Sequence, residues 1–296
     1  MMYIEPLILS KKSFKSNLEN DDMGFVIDKE YKKDDKFVFE NKIYICLKES
    51  SSKNPKLDTD KFLSKGSSNK YACIDDSIYS KSQRKDGINI SFDASFGDIV
   101  FLQNCNFLNL EVKIVKENKE IYAKSFNMLE PLDIKEYMIG IRDYRNHIVI
   151  SLPMSLSGRV ILKMTDLSNI VSVGQIIYGR AVSLGLTISK DSAPSFSFID
   201  LEYFSRDSDG NLVPNKKEVP LSLSMNVIYT QYKTKNISRL KKLKQQLKVW
   251  LPLTNSINFY GEIRDSFAIY GALTSLEANL ISALGFDEKI TIESST

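Results

Sequence analysis

A chain of 296 residues, 43% hydrophobic and 26% charged, has ample apolar material for a buried core and lies outside the disordered class. Its 40 basic and 37 acidic residues leave a net charge of +3, so no overall field draws it to nucleic acid or to an anionic membrane. No apolar run approaches the roughly 20 residues of a membrane-spanning helix, and the opening MMYIEPLILSKKSF lacks a basic leader before a hydrophobic stretch, so neither export nor anchoring is expected.

Residues 1–29 are mixed and polar. Asn17, Asn20, Asp21, Asp22 and Gly24 interrupt any periodic pattern, which predicts an arm that orders only by packing on a neighbour. Residues 30–63 read as a small β module. Phe37-Val38-Phe39 and Ile43 to Leu47 flank Glu40-Asn41-Lys42, a polar connection of hairpin length. Alternation puts Ile43, Ile45 and Leu47 on one side of the second strand, with Tyr44 and Cys46 on the other. The loop SSSKNPKLDTDKF closes on Phe62, and a unit this small is expected to lean on a larger body.

The stretch SKGSSNK at 64–70 marks a boundary, and residues 70–296 are expected to form a large antiparallel β-sandwich or jelly-roll-like body, whole or as two packed subdomains. The strongest strand patterns are LNLEVKIV, with Leu108, Leu110, Val112 and Ile114 on one face, and VPLSLSMNV, in which Val219, Leu221, Leu223, Met225 and Val227 alternate with polar residues. INISF, DIVFLQ, HIVISL, GRVILKM, SLGLTIS and SFSFIDLEYF are weaker candidates. Two segments compete as helices. KTKNISRLKKLKQQLKVW places Ile237, Leu240, Leu243 and Leu247 near helical spacing with an all-basic polar face, while SLEANLISAL suits either a helix or a buried strand with its turn.

Reactive residue types are sparse. The single histidine, His147, excludes a paired-His zinc site and leaves one base for a Ser-His-Asp device, with no nucleophile-elbow motif for it to serve. Cys46, Cys73 and Cys105 are odd in number and widely spaced, which fits buried, reduced thiols in a reducing compartment rather than a disulfide framework. In RDSDGNLV, an EF-hand register with Gly210 at its sixth position would set Ser205 first and Lys216 last, where carboxylates are needed; a tight turn is expected instead. Asp34-Asp35 and Asp75-Asp76 are adjacent acids, and neighbours on a strand point to opposite faces, so neither pair builds a glycosidase site. With no Gly-rich phosphate loop, the expectation is no catalytic residue, no metal and no cofactor.

The spacing Tyr31, Asp34-Asp35, Phe37-Val38, Asn41, Ile43-Tyr44, Pro55 and Phe62 resembles the small aromatic modules of chitin- and cellulose-type carbohydrate binding. Those modules read Tyr, Gly-Asp, Val, a short turn, Tyr, then Pro and a closing Trp; here Asp34 replaces the Gly and Phe62 the Trp. From about residue 69 the chain resembles a family of tailed-phage virion proteins found with tail-tip and fibre genes, some with a carbohydrate-binding domain. The matching stretches are NKYACIDDSIYSKS, DIVFLQNCNFLNLEVKIV, VGQIIYGRAVSLGLTIS, the turn around DSDGN, and INFYGEIRDSFAIYG, with Tyr71 where that family often has Trp.

The resemblance implies a non-enzymatic structural protein of the phage tail or baseplate, assembled in the host cytoplasm into the virion and docking other tail proteins and copies of itself. A stand-alone glycan-binding protein and a surface polysaccharide depolymerase are the competing readings. For glycan binding, Tyr31, Phe37, Tyr44 and Phe62 are the candidate sugar surface. For partners, the candidate interface is the basic segment with Arg239, Lys241, Lys242, Lys244 and Lys248, whose charged face either is simply solvated, as such helix faces usually are, or meets an acidic subunit, with DNA the least favoured reading.

Overall fold

Period-two alternation of apolar and polar side chains, the dominant pattern in the sequence, is realised as antiparallel β-sheet in almost every element of a computed structural model. The structure describes residues 2–7, 9, 12–19, 21, 23–75, 77, 80–93, 96–129, 144–153, 158–166, 170–183, 187–188, 195–198, 204–206, 212–214, 221–230, 234–244, 246–251, 268–282 and 285–294. These fall into a central unit, Leu7–Tyr178, and a terminal unit made of Met1–Pro6 with Gly179–Thr296.

The first strand, β1 (Met2–Pro6), belongs to the terminal unit. The central unit holds β2 (Lys15–Ser16), β3 (Lys36–Phe39), β4 (Lys42–Cys46), β5 (Phe62–Ser67), β6 (Ser82–Arg84), β7 (Ile88–Asp93), β8 (Ile99–Gln103), β9 (Asn109–Lys116), β10 (Lys119–Asn127), β11 (His147–Ser151), β12 (Arg159–Thr165) and β13 (Val171–Val173). It also takes the first residues of β14 (Gln175–Ser183). One sheet runs β10-β9-β12-β7-β2. Every second residue of β7, β9 and β12 is buried, so Ile90, Val112 and Leu162 meet Val100, Leu102 and Ile150 from β8 and β11 in a single core. That is the expected sandwich, in which each fully buried aliphatic side chain contributes about 1.5–3 kcal/mol. Leu108, assigned from sequence to the same face of β9, precedes the strand and is only partly buried.

Two hairpins turn on the same dipeptide. Glu40-Asn41 between β3 and β4, and Glu117-Asn118 between β9 and β10, have positive φ at both positions (48° and 66°, 48° and 62°). That is the primed-turn geometry which matches strand twist, and the asparagine accepts it at low cost.

The terminal unit contains β1, the remainder of β14, β15 (Thr187–Ile188), β16 (Ser195–Phe198), β17 (Phe204–Arg206), β18 (Leu212–Pro214), β19 (Leu221–Thr230), α1 (Thr234–Leu243), β20 (Leu247–Leu251), β21 (Ile269–Ser282) and β22 (Gly285–Ser294). Its strands run β14-β1-β20-β21-β22-β19-β15, and β16 also pairs with β19. Tyr3, Leu223, Met225, Trp250, Leu273 and Ile292 form its core, onto which α1 packs through Leu240 and Leu243.

Two expectations are corrected here and one left open is decided. Met2–Pro6 is no arm: β1 pairs with both β14 and β20, and Tyr3 and Ile4 are 1% and 0% exposed. SLEANLISAL, open between helix and strand, lies mostly in β21. The basic segment is helical only to Leu243; Lys248 lies in β20, where Val249 and Trp250 pair with β1 and β21. The DSDGN turn lies outside the described residues, but the strands on either side pair antiparallel from Arg206↔Leu212 outward, as a hairpin requires.

Candidate functional site

The small aromatic sheet of β3, β4 and β5 is built around Phe37. Its ring lies 4.5 Å from Tyr31, stacks on Tyr44 at 5.9 Å and 10°, and meets Phe62 edge-on at 5.4 Å. The Tyr31 hydroxyl accepts the Val26 N–H at 2.8 Å, and the Cys46 thiol donates to the Lys48 carbonyl at 3.0 Å. Tyr31, Phe37, Tyr44 and Phe62 are only 3%, 1%, 5% and 2% exposed. The four rings assigned from sequence to a sugar surface are therefore the core of the module. A short three-stranded sheet has too little aliphatic volume to close a core of its own, and stacked rings supply it.

Two other rings remain partly exposed. Phe25 and Phe39 lie 5.1 Å apart, edge to face, and Phe25 also touches Phe37 and stacks on Tyr31. Phe25 falls in the stretch read as an arm, yet its N–H donates to the Val38 carbonyl at 3.1 Å and the Val38 N–H donates to Met23 at 2.6 Å. Gly24 thus runs parallel to β3 as an added edge. The signal that would have found this is the apolar run Phe25-Val26-Ile27, flanked by Gly24 and Asp28. On the opposite face of the sheet, Val38 pairs across from Ile43 and Ile45 from Leu63, and Leu63 and Leu47 are 45% and 41% exposed.

In the basic segment, Lys241, Lys242 and Lys244 are exposed; Arg239 lies in α1 with its side chain outside the described set. Lys248 is not part of that surface. Its side chain is 9% exposed and its ammonium pairs with Glu5 at 3.1 Å, which joins β20 to β1.

Reactive types are dispersed. His147 begins β11 opposite Gln103, its ring 6.1 Å from Phe101. Asp35 accepts the Lys32 N–H and Asp75 the Ser77 N–H, both as turn formers, while Asp76 lies outside the described residues. Among the described residues no three His, Cys, Asp or Glu side chains are grouped as metal ligands. A shallow cleft of about 260 Å³ is lined by Glu19, Gln83, Arg84, Lys85, Asp86 and Ile170. Arg84 there is balanced by Glu19 at 3.3 Å and Asp86 at 4.0 Å, so its guanidinium is already matched by carboxylates.

All three thiols are buried. Burial raises the Cys73 thiol from 9.0 to about 12 and pushes Cys105 up as well. The unfolded chain therefore releases these protons near pH 9 while the folded chain holds them. Stability is fully present below pH 9 and falls as pH rises toward 12, by about 1.4 kcal/mol per pH unit per thiol. Alkylation with iodoacetamide at pH 8 is expected to leave Cys73 and Cys105 unmodified until denaturant is added. Labelling of either in the native state, followed by mass spectrometry, would contradict this burial.

No protein-family model matches the chain, and no curated protein matches it. Among solved structures, the lectin domain of lectinolysin complexed with Lewis B antigen is similar over 34% of this chain and 70% of that domain, with 12% identity and a TM-score of 0.24.

Proposed function

We propose that the protein is a binding and assembly protein without a reaction centre, a component of the tail or host-adsorption apparatus of a tailed phage. Its small aromatic module docks a host-surface glycan or a fibre. The observation that carries the binding half is the Phe25 and Phe39 ring pair, left partly open to solvent at the rim of an otherwise closed aromatic core. Exposed ring faces cover the apolar C–H faces of sugars. The place in a phage tail is supported by the sequence resemblance, and dispersed acids with a single histidine fit a structural role.

Glycan-array binding by the full chain is expected to fall about tenfold or more, roughly 1.4 kcal/mol, in F25A/F39A, with far-UV circular dichroism unchanged. Undiminished binding would move the sugar site elsewhere. Mass spectrometry of purified tailed-phage particles is expected to find the chain in them. Glycan binding without incorporation would favour the stand-alone glycan-binding reading, and release of sugars from capsule or lipopolysaccharide by the purified chain would replace both with a depolymerase.

A further inference from the structure

Phe25 and Phe39 are each the last residue of an extended segment before the chain turns. Gly24 bridges to Val38 in parallel and the Phe25 N–H reaches the Val38 carbonyl at 3.1 Å, so the two rings stand side by side at one end of the small sheet. Beyond Phe39 come Glu40 and Asn41 with positive φ, and beyond Phe25 the Lys29 N–H closes onto the Val26 carbonyl at 3.4 Å. Behind the pair, Tyr31, Phe37, Tyr44 and Phe62 are buried, so no further ring of this cluster faces solvent.

The geometry of the pair limits what can lie on it. An extended glycan chain stacks successive sugars on rings whose faces share one plane. Phe25 and Phe39 instead meet at 73° with their centroids 5.1 Å apart, and Phe25 is itself stacked at 9° on the buried Tyr31. A sugar lying flat on one ring therefore abuts the other, and a second sugar finds no parallel face to follow. Lys42 brings a polar group to this corner. It is exposed and pairs directly across from Phe39, so both side chains leave the same face of the sheet.

We infer that the corner formed by Phe25, Phe39 and Lys42 takes a single sugar at the end or branch tip of a glycan, not a stretch of extended chain. This rests on the glycan reading proposed above and narrows it to a ligand class. One ring covers the apolar C–H face of the sugar, the other meets its edge, and the Lys42 ammonium donates to one of its oxygens. Flat polymers of the chitin and cellulose type need a row of coplanar rings, and the 73° angle between these two denies it.

Ligand-observed NMR titration of the full chain tests this with glucose, galactose, mannose and N-acetylglucosamine, each as its methyl glycoside and as its linear hexamer. At least one methyl glycoside is expected to bind, with its hexamer no more than about threefold tighter. Binding should weaken severalfold in K42A, which touches no buried contact of the cluster, and about tenfold in F39L, which keeps apolar volume without a ring face. Circular dichroism confirms that both variants fold. A hexamer bound about tenfold or more tighter than its methyl glycoside, or binding unchanged in K42A, would overturn the single-sugar corner and leave the glycan reading standing. No binding by any member of the panel, or binding indifferent to F39L, would overturn both.

Discussion

Replacing Phe37 with alanine is expected to cost about 3–5 kcal/mol and to melt the small aromatic sheet while the sandwich of the central unit persists. Phe37 is 1% exposed and its ring meets those of Tyr31, Tyr44, Phe62 and Phe25, so its loss opens a cavity at the hub of the cluster. The cluster is distinct from the aliphatic core between the two sheets, which keeps its own contacts. Amide hydrogen exchange monitored by mass spectrometry should show β3, β4 and β5 losing protection while β9 and β12 retain theirs. Equal loss across all five strands would mean that the module has no separate stability. The proposed glycan binding should be lost with the module, since Phe25 and Phe39 are held at its rim.

The terminal unit has a comparable keystone in Trp250, the only tryptophan in the chain and 0% exposed. Its indole N–H donates to the Gly271 carbonyl at 2.9 Å and its ring lies 5.8 Å from Tyr3. Trp250→Ala should cost about 3–5 kcal/mol for the cavity, plus about 1 kcal/mol for the buried carbonyl left without its donor. Trp250→Phe should recover most of the packing and none of the hydrogen bond. Gly271→Ala attacks the same place from the other side, because a β-carbon there would lie 2.1 Å from the Glu293 carbonyl oxygen and force β21 away from β22. Denaturant midpoints followed by circular dichroism rank the three variants, and a midpoint for Trp250→Ala within about 0.5 kcal/mol of the parent would show that the indole is not structural.

Strands with one face in a core and one toward solvent were legible in the sequence. β7, β9 and β12 bury every second residue, and their residues announce it. β1 was not legible, because a central strand covered on both faces buries consecutive residues, and Tyr3-Ile4 in a five-residue element shows no period. β21 was ambiguous for a simple reason: Leu276 and Leu280 are four apart, a spacing that keeps one face of a helix and also one face of a strand. Bulge-like register shifts at Leu273/Ser275 and Leu280/Ser282 blur the alternation further. At the candidate site, rings that fill a core and rings that cover a sugar are the same residue types. Burial separated Phe37 from Phe39, and no pattern in the string did.

The pairing of β1 with β20 also fixes an order of events during synthesis. Met2–Pro6 is made before the rest of the terminal unit, and one of its two neighbours in the sheet, Leu247–Leu251, follows only after the whole of Leu7–Tyr178. At cellular elongation rates that is a wait on the order of tens of seconds, during which the central unit can fold and the first strand keeps an unpaired edge. Nascent chains stalled just short of Leu247 should therefore have a protease-resistant central unit and a still-cleavable Met2–Pro6 segment, and they should be the species that most needs a chaperone.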